Sequence, residues 1–317
     1  MMGKEITNIK KANNPTKQKN RVKGKSTVKG KSTAGIRKKK RTKNKILLTI
    51  ILSFVLVFGI AVGYFSYTLI TQHMNERRAQ ENIDQVMEIF QEPLEEIEII
   101  PVFIESDDVE EEVDLTPFLG IIEALDVAVE RTGNEDIVAY IYVVGTSIRY
   151  AVLQGEDNSF YLYHDMFRES NVAGSIFLDY YNRIEFTDPN TIIYGHNMND
   201  TIKFHNLRHY VFGDNPQDYF NEHQYILIVT HTQALKFEIF SVFTTWIDFD
   251  YIQVDFAGDE FRELVEELNE RNILDTGRVA TEDDYVLILS TCTNLERDTR
   301  IVIASRLAKR IQIPQSE

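Results

Sequence analysis

The longest apolar segment of the chain covers residues 46–70, where 25 consecutive residues carry no charge. About 20 apolar residues suffice for a helix to cross a bilayer, whereas the apolar core of a signal peptide has about 7 to 15. The pattern therefore predicts an uncleaved transmembrane helix over residues 46–70. The lipid bilayer is an expected partner of this segment.

Beyond this segment the apolar spacing of three and four predicts two helices. The first covers residues 75–90 and is largely polar. The second covers residues 116–132, where Pro117 suits the first turn and Gly133 follows as a stop. Short strands are expected after the second helix.

From residue 137 onward, short β-prone runs alternate with turn residues, which predicts eight strands. They cover residues 137–144, 147–154, 160–164, 191–194, 224–230, 235–245, 285–291 and 300–307. One amphipathic helix, over residues 259–272, is inserted before the seventh strand. Mostly short strands with one inserted helix favour an all-β closed barrel over a parallel sheet.

The charges are divided unevenly along the chain. Residues 1–45 hold 17 of the 34 Lys and Arg and one acid, Glu5, which leaves 17 basic and 48 acidic residues and a formal charge of about −31 beyond them. The positive-inside rule predicts a cytoplasmic tail over 1–45 and an extracellular body beyond residue 71. So acidic a body argues against nucleic acid as a partner.

The segment before the predicted barrel is strongly acidic. Residues 92–114 contain eleven acids and no base, and a charged linker of this kind repels itself and extends. We therefore expect residues 71–115 to form an extracellular helix and an acidic stalk. Residues 116–317 then form the barrel domain, held at the surface of the cell membrane by a single-pass anchor.

Cys292 is the one cysteine of the chain and ends the predicted seventh strand. It cannot form an intramolecular disulfide, and exported proteins commonly pair their cysteines or lack them. A free thiol at a strand end is a candidate nucleophile. A small buried apolar residue is the alternative reading.

A cysteine nucleophile needs a proton carrier and a positive charge near the attacked carbonyl. Among seven histidines, His196 follows an apolar strand in a Gly-His turn, and His164 is its main competitor. Arg300 opens the last strand, where its planar guanidinium could bind a carbonyl oxygen or a carboxylate. No metal or cofactor is expected, because the acids lack calcium-loop spacing and the histidines are scattered.

Several segments resemble the sortase family. Residues 289–292 followed by 300–304 are similar to its cysteine and arginine signature, and residues 190–199 resemble the segment that carries its histidine. The likeness extends over about residues 117–310. Its further runs, over 152–158, 161–165 and 173–180, and the inserted helix are similar to class B sortases in particular.

The resemblance implies an eight-stranded sortase barrel with three catalytic residues. Cys292 would be the nucleophile, His196 the acid or base, and Arg300 the stabiliser of substrate and oxyanion. It also implies a groove for a peptide, lined by Asn158, Leu162, Tyr251, Ile252 and Ser290.

The implied activity is that of a membrane-anchored cysteine transpeptidase. It would cut a Thr-Gly or Thr-Asn bond in the C-terminal sorting signal of an exported protein and pass the protein to an amine of the cell-wall peptidoglycan cross-bridge. A pilin-polymerising sortase that uses a lysine acceptor, and a hydrolase that ends in water attack, remain alternatives. A membrane-tethered binding module with Cys292 in its core is a third.

Overall fold

A computed structural model describes residues 33–88, 115–197, 203–293 and 298–314. Residues 1–32 of the predicted basic tail and the acidic stretch over 92–114 lie outside these ranges. The chain divides into two compact units, Met1–Tyr67 and Thr68–Glu317.

The first helix, α1, spans Thr33–Met87. Its segment Lys43–Thr71 is long and apolar enough to cross a membrane, and its large apolar side chains are exposed. The sequence predicts a separate helix from residue 75, but the helix continues to Met87 without a break. No proline or glycine lies between Tyr64 and Glu92, so no residue there disrupts the helical hydrogen bonds.

The strands are β1 (Ile137–Val143), β2 (Arg149–Leu153), β3 (Ile176–Leu178), β4 (Asn190–Tyr194), β5 (Tyr225–Thr230), β6 (Gln233–Trp246), β7 (Val286–Cys292) and β8 (Thr299–Gln312). They form a closed barrel in the order β1-β2-β3-β4-β7-β8-β6-β5. The β2–β3 and β4–β7 pairs are parallel, and the others are antiparallel. The predicted closed all-β barrel is confirmed.

The β7 strand is buried on both faces, which explains its unbroken apolar run. Leu287 and Leu289 point into the cluster that fills the barrel, to which all eight strands contribute. Val286 and Ile288 belong to a second cluster on the outside of the sheet. By the period of two, Cys292 lies on this outer face.

Helices cover the outside of the barrel at two places. Helix α2 (Thr116–Thr132) packs its apolar face against β1 and β5 and ends at Gly133, whose left-handed φ of 64° and N–H bond to a helix carbonyl form the predicted stop. A second helix, Glu260–Glu270, lies within the predicted range 259–272 and buries Leu268 in the outer cluster.

Among the described residues between β4 and β5, three short helices were not expected from the sequence. They are a 3₁₀ helix over His205–Arg208, α3 over His209–Phe212 and α4 over Pro216–Glu222, so that Glu260–Glu270 is α5. The start of α4 has a readable signal, because the Asn215 side chain accepts a hydrogen bond from the Asp218 amide and Pro216 follows it. The expectation of one inserted helix was therefore incomplete.

The strand expected at residues 160–164 is wrong, and β3 instead lies at Ile176–Leu178. Aspartate side chains compete with strand formation on both sides of this segment. Asp157 Oδ1 accepts hydrogen bonds from the amides of Ser159 and Phe160, and Asp165 Oδ1 accepts from two later amides. The segment is thereby folded into turns.

Candidate active site

Cys292 and Arg300 are register partners in the antiparallel β7–β8 ladder. Side chains of directly opposed residues lie on the same face of a sheet, with Cβ atoms about 4.5 to 5.5 Å apart. Both side chains are half-buried, on the face occupied by Ile288 and Val302. The strand pairing therefore places a thiol and a guanidinium together at one edge of the outer cluster.

His196 reaches the same edge from the neighbouring parallel strand. Tyr194, the last residue of β4, is paired with Ser290 of β7, and the Gly195 amide donates to the Ser290 carbonyl at 3.2 Å. A Cβ at Gly195 would lie 2.3 Å from a methyl group of Ile176 and 2.7 Å from Phe204. Glycine is thus required where the chain turns out of the barrel to present His196.

The His196 ring is held by a backbone carbonyl. Its Nε2 lies 2.8 Å from the carbonyl oxygen of Leu162, which can only accept, so Nε2 is the donor. His164 is held elsewhere: its ring stacks on Phe160 at 4.0 Å, with Nδ1 2.8 Å from the Phe160 carbonyl oxygen. His164 does not line the cavity that His196 faces.

All eight residues expected from the sequence line one open cavity of about 320 Å³. These are Cys292, His196, Arg300, Asn158, Leu162, Tyr251, Ile252 and Ser290. The lining residues that were not singled out are Phe177, Tyr194, Gly195, Ile247, Phe249, Asp250 and Thr291. Of these, Tyr194 and Gly195 directly precede His196, whereas the segment from Ile247 to Asp250 carries no periodic signal.

Tyr251 anchors the loop between β6 and α5 at the cavity wall. Its hydroxyl lies 2.8 Å from the Ser290 hydroxyl, and its backbone carbonyl accepts a hydrogen bond from Asn190 Nδ2 at 2.9 Å. Burial raises the pKa of the Tyr251 phenol, and the hydrogen bond with Ser290 and the nearby Arg300 charge oppose this rise. Tyr251 is therefore a neutral hydrogen-bonding group near neutral pH.

Asp179 supports two cavity-lining side chains from behind. It is buried, and its Oδ2 accepts hydrogen bonds from Asn158 Nδ2 at 2.7 Å and from the Tyr194 hydroxyl at 2.8 Å. The Asn158 oxygen in turn accepts from the Tyr180 amide at 3.0 Å. The orientation of the Asn158 amide is thus set by a donor and an acceptor.

The cavity joins apolar walls to a few polar groups, as small-molecule and peptide sites do. Asp250 is the one carboxylate among the described residues that line it, opposite in sign to Arg300. Within the part of the chain that the structure describes, no group of three or more His, Cys, Asp or Glu could hold a metal ion. The described lining residues include a thiol, an imidazole and a guanidinium together with the Asp250 carboxylate.

Comparison with known proteins identifies the family to which this site belongs. The family model of the sortase domain matches residues 141–308. Sortase B of Listeria monocytogenes is 35% identical over 178 residues, which cover 55% of this chain and 70% of the Listeria protein. The chain belongs to the sortase family.

Further comparisons place this sortase in class B. Sortase B of Staphylococcus aureus is 32% identical over 179 residues, which cover 56% of this chain and 72% of the Staphylococcus protein. The structure of a Staphylococcus aureus sortase B–substrate complex matches with a TM-score of 0.57 and 27% identity, and covers 76% of this chain and all of that one. The family, the class and the barrel expected from the sequence are confirmed.

Sortases are cysteine transpeptidases, and this chain is an enzyme of that kind. Family membership implies protein substrates and cell-wall peptidoglycan as partners. The matched range, residues 141–308, contains Cys292, Arg300 and His196.

Proposed function

We propose that this sortase is a membrane-anchored transpeptidase that cleaves a C-terminal sorting signal at a Thr-Gly or Thr-Asn bond and transfers the protein to a peptidoglycan amine. The observation that carries the proposal is the convergence of Cys292, His196 and Arg300 on one open cavity. A thiol, a proton carrier and a fixed cation are the groups that acyl transfer requires.

In the proposed first step, the Cys292 thiolate attacks the carbonyl carbon of the scissile bond. Negative charge then develops on the carbonyl oxygen, and the opposed Arg300 guanidinium is positioned to stabilise it. A guanidinium can direct two N–H groups at one oxygen, which a lysine ammonium cannot reproduce. The step ends in a thioester on Cys292 and a free amine.

The two ring nitrogens of His196 have different roles. Because Nε2 donates to the Leu162 carbonyl, we assign proton exchange to Nδ1. As an imidazolium, His196 donates the Nδ1 proton to the leaving amine; as a neutral ring, it accepts a proton from the incoming one. The same orientation serves both halves of the reaction.

The five predicted groove residues offer the sorting peptide both apolar and polar contacts. Leu162 and Ile252 supply apolar surface, and the 41% exposed Ile252 lies at the open side. Asn158 and the hydrogen-bonded pair of Tyr251 and Ser290 supply fixed polar groups. Oriented side chains of this kind reduce the entropy lost on binding.

An amine acceptor is supported by the charge of the cavity. A primary amine approaches as an ammonium ion near neutral pH, and Arg300 would repel it. Asp250 places a carboxylate on the cavity lining, where it can attract the ammonium. Water carries no net charge, so the Asp250 carboxylate attracts it less strongly than it attracts an ammonium ion.

The membrane anchor is supported by the apolar segment Lys43–Thr71. With the basic residues on its N-terminal side, we propose a cytoplasmic tail over 1–45, a span over 46–70 and a catalytic domain outside the cell. The helix and acidic stalk over 71–115 would link the span to the barrel domain over 116–317.

The proposal is tested with the full chain in detergent and peptides of the Leu-Pro-x-Thr-Gly, Asn-Pro-x-Thr-Asn and Ser-Pro-x-Thr-Gly types. Cleavage is measured with and without a diamino acid, and the product is identified by mass. We expect an amide product with the amine present. Release of only the hydrolysed peptide with the amine present would indicate a hydrolase. No cleavage of any of the three peptide types would contradict the proposed Thr-Gly or Thr-Asn cleavage site. In a parallel reaction with a pilin lysine as the amine, transfer to that lysine but not to the diamino acid would favour the polymerase.

A further inference from the structure

Asn197 connects the histidine segment to the cysteine strand. It directly follows His196, is 7% exposed, and its Nδ2 donates to the backbone carbonyl of Cys292 at 2.8 Å. The regular β4–β7 pairing ends with Tyr194 and Ser290. The Asn197 side chain therefore continues the connection between the two segments beyond the last backbone rung.

The orientation of the Asn197 amide is fixed by a second histidine. His205 Nδ1 lies 3.0 Å from Asn197 Oδ1, and an amide oxygen can only accept, so His205 is the donor. This contact directs the amide NH₂ group toward Cys292. Had the amide been reversed, its NH₂ group would face His205 and its oxygen would face the Cys292 carbonyl oxygen.

The segment that leads into the 3₁₀ helix of His205 is hydrogen-bonded to the His196 segment. Asn197 and Lys203 form an antiparallel bridge, and the Phe204 amide donates to the His196 carbonyl at 3.0 Å. His205 thus begins its helix directly after this bridge. The contacts form one connected path from the helix, through the Asn197 side chain, to the backbone of Cys292.

We propose that Asn197 is a positioning residue that fixes the distance between His196 and Cys292, and that His205 sets its orientation. The inference rests on the proposed roles of His196 and Cys292. Catalytic groups must be held within about 0.5 Å of their productive geometry, and a misplacement of about 1 Å can cost about 100-fold in rate. One amide that bonds the cysteine backbone beside the histidine directly limits such movement.

The first test compares Asn197→Ala and Asn197→Asp with wild type in the full chain. Both remove the donor to the Cys292 carbonyl, so we expect the acylation rate at saturating peptide to fall about 10- to 100-fold. The KM for the peptide should change less than about threefold, because Asn197 does not line the cavity. Unchanged acylation in both variants would overturn the proposal.

Asn269 offers a matched control on α5. Its Nδ2 donates to the Ala280 carbonyl at 2.8 Å, the same distance as in the Asn197 contact. Asn269→Ala should lower thermal stability without lowering acylation by the folded protein. If Asn269→Ala loses as much rate as Asn197→Ala at equal folded fraction, a specific positioning role is refuted.

His205 permits a rescue experiment. Asparagine places its Nδ2 where the Nδ1 of histidine lies, so His205→Asn keeps the donor to Asn197, whereas His205→Leu removes it. We expect His205→Asn to retain acylation within about threefold of wild type and His205→Leu to lose about tenfold. Equal rates in the two variants would show that the donor has no effect.

A substrate-free measurement separates this inference from the proposed function. Iodoacetamide alkylates Cys292, the one cysteine of the chain, and the rate against pH reports its thiolate. We expect Asn197→Ala to shift this profile relative to wild type and Asn269→Ala to leave it unchanged. A profile unaffected by Asn197→Ala contradicts positioning, whereas peptide cleavage that persists in Cys292→Ala contradicts the proposed function instead.

Discussion

Cys292 and Arg300 are paired directly across the β7–β8 ladder, so their relative position is set by backbone hydrogen bonds rather than by a flexible loop. Residues 294–297, which connect the two strands, lie outside the described part of the chain. The ladder also pairs Thr291 with Ile301, and both side chains are buried. The geometry of the thiol and the guanidinium therefore derives from the two strands.

The first prediction concerns this pair. Arg300→Ala and Arg300→Lys should each lower kcat/KM for the sorting peptide by about 100- to 1,000-fold, or about 2.7 to 4 kcal/mol, as expected for an oxyanion donor. Single-turnover acylation with mass detection measures the effect. Arg306→Lys, on the same strand but bonded to Glu238, is the control. An Arg300→Lys variant with near wild-type acylation would rule out the forked contact.

The second prediction concerns the hydrogen bond between Tyr251 and Ser290. Tyr251→Phe and Ser290→Ala each remove it, so the two effects on the free energy of unfolding should not add. We expect a coupling energy of about 0.5 to 1.5 kcal/mol in a double-mutant cycle. Denaturant unfolding of the four proteins measures it, and full additivity would mean that the bond does not contribute.

The third prediction concerns the acceptor. Asp250→Asn should raise the KM for a diamino-acid acceptor several-fold, because the ammonium loses its attracting carboxylate. The hydrolysis rate without amine should stay within about twofold of wild type, since acylation does not use Asp250. Asp248→Asn, a change of equal charge outside the cavity lining, is the control. Equal KM values for Asp250→Asn and Asp248→Asn would exclude Asp250 as the acceptor contact.

The fourth prediction concerns pH and the buried Lys203. Burial lowers the pKa of the Lys203 ammonium to about 8, so between about pH 8 and 10.5 the unfolded chain holds a proton that the folded protein has released. The contribution of Lys203 to the free energy of unfolding therefore rises by about 3 kcal/mol in total as the pH increases through that window. Below the window, the folded protein bears the full cost of burying the charged ammonium. Lys203→Met should therefore be more stable than wild type at pH 7.

Denaturant unfolding of wild type and Lys203→Met across pH 7 to 11 checks this prediction. The advantage of the variant should shrink as the pH rises through the window. A stability difference that is constant with pH would show that Lys203 has an ordinary pKa in the folded protein. Lys309, which pairs with Lys236 in the β6–β8 ladder, provides a lysine control when changed to Met.

The fifth prediction concerns orientation in the membrane. Cys292 is the one cysteine of the chain and lines an open cavity, so a membrane-impermeant thiol reagent should label it in intact cells. Cys292→Ser should give no labelling. If labelling requires permeabilised cells, the barrel domain is on the cytoplasmic side and the positive-inside assignment is wrong.

The sequence was sufficient to predict elements whose signals are local. The apolar run of β7 predicted a buried strand, and the amphipathic pattern over residues 259–272 predicted α5. Cys292 and Arg300 lie only eight positions apart, at the end of one strand and the start of the next, which agrees with their pairing across the ladder. The eight expected site residues meet in one cavity because the motifs that resembled a family lie at the ends of adjacent strands.

The remaining features depend on contacts between distant segments. Strand β3 has three residues and pairs in parallel with β2, so it has no periodic signal of its own. The bond from His196 to the Leu162 carbonyl and that from Asn197 to the Cys292 carbonyl join residues 34 and 95 positions apart. Neither bond can be read from composition or spacing, because each depends on the closed barrel.

The central claim is that Cys292 is the nucleophile that becomes acylated. Its most direct test is intact-protein mass spectrometry of the full chain after brief incubation with an intact sorting peptide that the enzyme cleaves. The account predicts an adduct with the mass of the N-terminal peptide fragment on Cys292, removed by hydroxylamine or an amine acceptor and absent in Cys292→Ala. Peptide cleavage that proceeds in Cys292→Ala at the wild-type rate would contradict it.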